Sequence, residues 1–164
     1  MKTILLSLVL IAISGCSTVH IKANYYPVEP LTKSQIFGFS KKAEYENKDE
    51  ETTKNALIVY CSKSLSSNGY KVLSRVVKPE DVMQVVAGGG VLVTTHPEVK
   101  ETKPGIYEKS LYLKFESLGR KGIISPIYAV KVTKTDDRAF SLEDIEDLCN
   151  YAIKKIPEHQ PTDI

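Results

Sequence analysis

Residues 106–116 read IYEKSLYLKFE, and this alternating stretch decides the fold that the sequence predicts. Apolar and polar side chains alternate along it, which in a strand places the two central leucines and Phe115 on one face. Residues 127–132 (IYAVKV) repeat the alternation after a glycine-containing turn at residues 119–122. Two alternating runs joined by such a turn predict an antiparallel β-hairpin.

Two helices are predicted from apolar residues at helical spacing. The clearer one covers residues 141–156, where Ser141 followed three positions later by Asp144 resembles a capping box. Its apolar stripe consists of Ile145, Leu148, Cys149, Ala152 and Ile156. The other helix is predicted over residues 50–68, and Gly69 ends its pattern in the way that glycine ends helices.

Further strands are predicted on both sides of the helix at residues 50–68. They cover residues 19–26, 34–39, 70–77 and 81–87, the last of which continues at 91–95 after a glycine interruption, and residues 97–104 read as a polar loop. The run at 81–87 is apolar on both faces, which is typical of a central strand. The order β-β-α-β-β-β-β-α predicts a two-layer α+β domain, with a largely antiparallel sheet and two helices packed on one face.

The first sixteen residues have the layout of a secretory signal. Lys2 supplies a positive charge, residues 4–13 form an apolar run, and small residues precede Cys16. The run is shorter than the roughly 20 apolar residues that a membrane-spanning helix needs. A plain signal peptide and a buried N-terminal helix are the alternative interpretations.

The ending Ile13-Ser14-Gly15-Cys16 resembles the lipobox of bacterial lipoproteins. This resemblance implies cleavage before Cys16 and attachment of acyl chains to that cysteine, so that the protein is anchored to the membrane. Stable attachment requires more than one chain. Relatives with Asp after the cysteine tend to stay in the inner membrane, so Ser17 implies the periplasmic face of the outer membrane in a Gram-negative cell.

These features divide the chain into four predicted segments. They are a signal peptide at 1–15, a lipidated N-terminus and short tether at 16–18, a single α+β domain at 19–157 and a flexible tail at 158–164. At about 3.3 Å per extended residue the tether reaches less than about 10 Å. We therefore expect the domain to sit against the membrane surface.

Residues 19–156 also resemble small envelope lipoprotein domains of unknown function. In those domains Gly-Tyr follows the first helix and Asp opens the next strand, which correspond here to Gly69-Tyr70 and Asp81. The glycine triplet at residues 88–90 departs from that pattern and predicts a hairpin turn or a bulge.

The charge balance argues against several classes of partner. The chain carries 22 Lys and Arg against 20 Asp and Glu residues, whereas nucleic-acid-binding proteins show a clustered basic excess, so no nucleic-acid partner is expected. No cysteines or histidines occur at metal-ligand spacing, so neither a metal nor another cofactor is expected. The acidic residues near the last helix fit a helix start and its solvated face better than a calcium loop; they are Asp136, Asp137, Glu143, Asp144, Glu146 and Asp147.

Two further cysteines, Cys61 and Cys149, fall in the two predicted helices. In an oxidising compartment they form a disulfide if the helices bring their Cα atoms within about 7 Å. Otherwise they are two small buried thiols that behave as apolar residues.

Two stretches are candidate contact surfaces. Residues 82–95 carry no charged side chain, so we expect Gln84 within them to mark a contact for self-association or for strand addition to a partner. On the predicted outer face of the sheet, Tyr112, Ile127 and Ala129 form a half-apolar candidate partner surface.

The functional prediction is a non-enzymatic binding or assembly accessory that is anchored to the membrane through Cys16 and faces the periplasm. The three histidines lie far apart in the sequence and predict no catalytic residue; they are His20, His96 and His159. An envelope hydrolase with a site built from scattered residues is one alternative. A small-ligand carrier is the other, with a cavity lined by Tyr60, Phe115 and Tyr128.

Overall fold

The computed structural model describes residues 17–25, 31–40, 48–74, 76–118 and 122–156, without the side chains of 23–25 and 48–50. These residues form six strands and three α-helices. The strands are β1 (Thr18–Tyr25), β2 (Ile36–Phe39), β3 (Lys71–Val72), β4 (Val91–Lys103), β5 (Ile106–Leu118) and β6 (Ile124–Asp136). The helices are α1 (Lys48–Ser67), α2 (Val82–Ala87) and α3 (Leu142–Ile153).

The sheet is mostly antiparallel, as the sequence predicts. Its strand order is β1-β6-β5-β4-β2-β3. The three long strands β4, β5 and β6 form a meander, and β1 pairs antiparallel with β6 at one edge. At the other edge β2 pairs in parallel with both β3 and β4. The α+β class and the hairpin between β5 and β6 are therefore confirmed.

The main core lies between one face of this sheet and the helices α1 and α3. The alternating leucines of β5 and Phe115 are fully buried there, together with the apolar stripes of both helices. The residues of the helical stripes that are fully buried are Leu57, Cys61, Leu65, Leu148, Cys149 and Ala152. Packing of two amphipathic helices on one face of the sheet is the predicted arrangement.

Residues 82–87 form the helix α2, so the prediction of a central strand at 81–87 is wrong. The helix packs on the opposite face of the sheet, where Val86 is buried with Val77 and Leu92 in a second, smaller core. A short apolar run has no periodicity that separates a buried strand from a buried helix. The helical start follows a 3₁₀ turn at Pro79–Asp81, with proline at a position that helices favour.

The glycine triplet ends α2 and leads into β4, so it forms neither a hairpin turn nor a bulge. Gly88 is the C-terminal cap of the helix, and Gly89 has a φ of 80° that L-residues rarely adopt. A Cβ at Gly90 would lie 2.8 Å from the carbonyl oxygen of Val85. The close approach of the helix to the strand therefore requires glycine here.

Two other predicted boundaries are also wrong. Residues 97–103 continue β4 and pair with residues 106–111 of β5, although their polar composition predicts a loop. This end of the hairpin is exposed, so polar residues suit it as a strand. Of the strand predicted at 70–77, only Lys71–Val72 pairs in the sheet, and the chain then crosses to the second core, where Val77 bridges to Ser40.

The two ends of the chain, residues 1–16 and 157–164, lie outside the described residues. The signal peptide, the lipobox with Cys16 and the tail therefore remain predictions. His159 also lies outside the described residues, as do residues 119–121 of the turn predicted at 119–122. In the part of the chain that is described, no helix has the length and apolar character needed to cross a membrane.

Candidate functional site

The largest concentration of buried charge lies where α3 begins, above the ends of β5 and β6. We call this group the ionic cluster; its members are Lys109, Lys134, Asp136, Asp144 and Asp147. Lys109 and Lys134 are directly paired across the two strands and face the main core. The strands thus supply two cations and Asp136, while the first two turns of α3 supply two carboxylates.

Each lysine of the ionic cluster bridges two carboxylates. The Nζ atom of Lys109 donates hydrogen bonds to Asp136 Oδ1 at 2.7 Å and to Asp144 Oδ2 at 2.9 Å. The Nζ atom of Lys134 donates to Asp144 Oδ1 at 2.9 Å and to Asp147 Oδ2 at 3.0 Å. Asp144 therefore pairs with both lysines. Its Oδ2 atom accepts from Lys109 on β5, and its Oδ1 atom accepts from Lys134 on β6.

Asp144 is held in place by the capping box that the sequence predicts. The backbone N–H and the hydroxyl of Ser141 donate to Asp144 Oδ2 at 2.9 and 3.0 Å, and the Asp144 N–H donates to Ser141 Oγ at 3.3 Å. This reciprocal arrangement satisfies backbone donors that the first turn of a helix leaves unpaired. The cap thus fixes both the start of α3 and the carboxylate at the centre of the cluster.

Burial is the largest single effect on the pKa values of Lys134, Asp136 and Asp144, and the charge and hydrogen-bond partners of these groups together outweigh it. Burial alone raises the pKa of Asp144, but hydrogen bonds from both lysines and from Ser141 outweigh it and hold that pKa well below its usual range. Burial likewise raises the pKa of Asp136, whereas hydrogen bonds from Lys109 and from the Arg138 N–H give a net lowering. For Lys134, burial lowers the pKa, and the hydrogen bonds to its two carboxylates produce a net increase.

These contacts make the cluster a rigid joint between α3 and the sheet. The pKa shifts of Lys134, Asp136 and Asp144 favour their charged forms, so these three groups are not poised to exchange a proton near neutral pH. Among the described residues, no group of three or more His, Cys, Asp or Glu side chains has an arrangement that could hold a metal ion. What the cluster does in the structure is to join the start of α3 to β5 and β6.

Asp144 belongs to the helix start, as predicted, whereas Asp136 does not lie on a solvated face, and the burial of both residues was not predicted. Asp136 and Asp144 are buried and paired with the lysines of the strands. The signal was present in the sequence, because Lys109 is in phase with Leu111 and Lys134 is in phase with Val132. A charged residue on the core face of a strand requires a partner, which Asp136 on β6 and Asp144 at the start of α3 supply.

A disulfide bond joins α1 to α3. The sulfur atoms of Cys61 and Cys149 are 2.08 Å apart, and their Cα atoms are separated by 5.0 Å. Both cysteines lie on the buried faces of their helices, which pack side by side over the sheet. The structure thus gives the bonded form of the two alternatives that the sequence leaves open.

The predicted partner surface on the outer face of the sheet is wrong for two of its residues. Ile127 is completely buried in the main core, because the register shifts between Phe115 and Glu116 and changes the alternation of β6 at this point. Ala129 is only 1% exposed. Tyr112 is half-buried on the outer face, where it lies opposite His96.

Gln84 is exposed, but it lies on α2 rather than on a strand edge. Its neighbour Met83 is also exposed, so this surface of the helix is accessible. Strand addition at Gln84 is therefore excluded, whereas a helix-mediated contact there remains a prediction.

The histidines predicted to be non-catalytic are well separated in the described part of the chain. His20 on β1 pairs with Thr133, and His96 on β4 pairs with Tyr112. Their strands are three positions apart in the sheet, or about 14 Å at the usual spacing between strands.

Two of the aromatic residues named for a ligand carrier, Phe115 and Tyr128, are buried in the main core. The rings of Phe115 and Tyr128 pack against each other with centroids 5.6 Å apart, while Tyr60 is half-buried on α1. The Tyr128 hydroxyl donates to the carbonyl of Lys155 at 2.8 Å. Burial, with a smaller contribution from the charge of Tyr70, raises the pKa of Tyr128 to about 12.

The described residues also line two depressions elsewhere on the surface. A cavity of about 280 Å³ is formed between β2 and the end of α2, and a groove of about 410 Å³ runs between α1 and the segment after β3. The cavity is lined by Ser34, Gln35, Ile36, Leu73, Val85 and the glycine triplet. No charged side chain lines the cavity, and Lys63 is the charged residue of the groove.

Comparison with known proteins gives the fold. The sequence matches no protein-family profile and no curated protein. Among solved structures, the PelC dodecamer from Paraburkholderia phytofirmans is similar with a TM-score of 0.59 and 11% identity, over 87% of this chain and all of that one. A PDZ domain protein from Parabacteroides distasonis is similar with a TM-score of 0.53 and 10% identity, over 89% of this chain and 37% of that one.

A minor lipoprotein from Acinetobacter baumannii has a lower TM-score of 0.39 and 13% identity, over 81% of this chain and all of that one. At that TM-score the likeness supports no statement about this chain. The other two likenesses show that the arrangement of strands and helices occurs in proteins of very different sequence.

Proposed function

We propose that this protein is a lipid-anchored component of the bacterial cell envelope, and that its domain acts as a non-enzymatic assembly accessory beside the membrane. The observation that carries the proposal is the position of β1, which begins at Thr18, two residues after Cys16. A lipobox-like sequence that ends so close to the folded sheet leaves almost no free tether. Acyl chains on Cys16 would hold the domain directly against the bilayer.

The proposed location is the periplasmic face of the outer membrane in a Gram-negative cell. Ser17 supports this location, because the alternative residue, aspartate, tends to retain bacterial lipoproteins in the inner membrane. The disulfide between Cys61 and Cys149 is also compatible with an oxidising compartment.

Self-association is the assembly that we propose. The support is the similarity in fold to a protein described as a dodecamer, over all of that protein's chain. The accessible surface of α2, with Gln84 and Met83, is the candidate contact. The buried ionic cluster fits this proposal, since its fixed charges support a rigid domain rather than a reactive site.

Acylation can be tested by feeding radiolabelled palmitate to cells that produce the full chain. We expect label in the wild type and in Ser17→Ala, and none in Cys16→Ala, which should also leave the membrane fraction. Ser17→Ala is the matched control, because it changes the adjacent residue and retains the thiol. Label in Cys16→Ala, or a wild type without label, would contradict the anchor.

Self-association can be tested by crosslinking in intact cells and by measuring the mass of the detergent-solubilised protein. We expect oligomers of the chain, and we expect Gln84→Lys together with Met83→Lys to weaken them. The exposed pair Lys63→Gln and Ser66→Lys on α1 is the control and should have no effect. A wild type that is strictly monomeric in both measurements would contradict the proposed assembly.

A further inference from the structure

The register of the sheet indicates which end of the domain is nearest to Cys16. Thr18 on β1 pairs with Thr135 on β6, Thr135 pairs with Glu108 on β5, and Glu108 pairs with Lys100 on β4. These four residues form one row across the sheet. The N-terminal end of β1 and the C-terminal end of β4 lie on the same side of this row. Ser17 and Cys16 precede β1 in the sequence.

The hairpin between β4 and β5 extends beyond this row. Glu101 pairs with Tyr107, Lys103 pairs with Ile106, and the turn lies at residues 104–105. The turn is three residues beyond Glu108, or about 10 Å, whereas the two residues from Thr18 to Cys16 span at most about 7 Å. The twist of the sheet turns the hairpin relative to β1 but leaves both at the same end.

The side chains of this hairpin tip, which we define as residues 99–106, suit the surface of a bilayer. Val99 is 46% exposed, and Lys100 and Lys103 are exposed on β4 just before the turn. Lysine can lay its apolar stem against hydrocarbon while its ammonium group contacts lipid phosphates. Glu101 uses its carboxylate inside the turn, where Oε1 accepts a hydrogen bond of 2.8 Å from the Gly105 N–H.

From this register, we infer that the hairpin tip rests on the phospholipid headgroups beside the acylated Cys16. The occupant of this surface is the bilayer itself, and the length of chain between Cys16 and Thr18 is the reason. This inference rests on the proposed anchor. It adds a second point of contact that fixes the orientation of the domain, with the ionic cluster and the start of α3 at the membrane end.

The orientation can be measured with a fluorophore attached to an introduced cysteine in the full, acylated protein. Thr102→Cys places the label in the hairpin tip, and Ile123→Cys is the matched control at the opposite end of the sheet, where the side chain is 63% exposed. The two positions are about 40 Å apart along β5, well beyond the range of contact quenching. Vesicles of phosphatidylethanolamine and phosphatidylglycerol would carry a nitroxide on the lipid headgroup.

We expect the label at position 102 to lose most of its fluorescence in these vesicles and the label at position 123 to keep it. Equal quenching of both labels, or no quenching of either while the protein floats with the vesicles, would overturn the inference. A protein that carries no palmitate and does not float would instead overturn the anchor, and the inference would fall with it. Flotation measured in the same samples distinguishes these two failures.

Discussion

Lys109 on β5 donates a hydrogen bond of 2.9 Å to Asp144 in the first turn of α3, and the two side chains are 0% and 3% exposed. A buried ion pair adds little stability compared with apolar residues, but the loss of one partner is costly because it leaves an uncompensated charge. Lys109 neutralises two carboxylates at once, so its removal tests how strongly α3 depends on the sheet.

We expect Lys109→Met to lower the free energy of unfolding by about 3–5 kcal/mol, because Asp136 and Asp144 would lose a buried partner. Urea unfolding followed by circular dichroism measures the change. Lys114→Met is the matched control on the outer face of the same strand. Its surface pair with Glu116 is worth at most about 1 kcal/mol, so equal effects of the two substitutions would contradict the role of the cluster.

The pKa values of Asp136 and Asp144 are lowered in the folded state, so the free energy of unfolding depends on pH in the acidic range. The unfolded chain takes up these protons first as the pH falls, at about pH 4. The stability that the two carboxylates contribute is therefore present above that pH and is lost as the pH falls toward their folded-state pKa values. We expect unfolding free energies measured between pH 6 and roughly pH 2 to fall less steeply for Asp144→Asn than for the wild type. Parallel pH profiles for the two proteins would show that Asp144 is not the group responsible.

The disulfide between Cys61 and Cys149 closes a loop with a sequence separation of 88 residues. A cross-link of this kind restricts the unfolded chain and typically contributes about 2–4 kcal/mol. We expect that stability to be lost in Cys61→Ala/Cys149→Ala and, equally, in the wild type after reduction. Peptide mapping without reductant should recover the linked pair of peptides. The double variant serves as its own control, since a reductant that destabilises it would point to a different cause.

Gly38 allows the segment after β3 to pack closely against the outer face of β2. A Cβ at this position would lie 2.6 Å from Val77 Cγ2 and 3.0 Å from Leu73 Cδ1. We expect Gly38→Ala to cost about 1–3 kcal/mol in thermal or urea unfolding, as overpacking of a core does. Gly88→Ala is the control, because the nearest atom to its Cβ would be 3.4 Å away and its φ is negative. A change of more than about 0.5 kcal/mol in the control would indicate that helix capping, not space, limits these sites.

Much of the fold follows from the sequence because one pattern dominates each element. The alternation in β5 and the stripe of α3 each have a single period, and the capping box marks where the helix begins at Ser141. The helices α1 and α3 then pack on the face of the sheet that carries the buried leucines of β5. Residues 82–87 have no such period. They form a helix that covers Leu92 on the outer face of the sheet, and this contact is visible only in the folded structure.

The ionic cluster was missed for a different reason. Lysine and aspartate usually lie at the surface, so residue type alone does not predict that they are buried as partners. Their phase on β5 and β6, rather than their type, places Lys109 and Lys134 on the core face. The contact with Asp144 joins residues that are 35 positions apart, so it depends on how α3 returns over the sheet.

The pairing of β1 with β6 also determines how the domain responds to a mechanical force. All eight residues of Thr18–Tyr25 are paired with β6 along the direction of the strand. Tension on the N-terminal end of the chain therefore acts in shear, so the hydrogen bonds between the two strands must slide together rather than open one after another. The domain is built to withstand a pull from this end better than a pull that peels β1 sideways from the sheet.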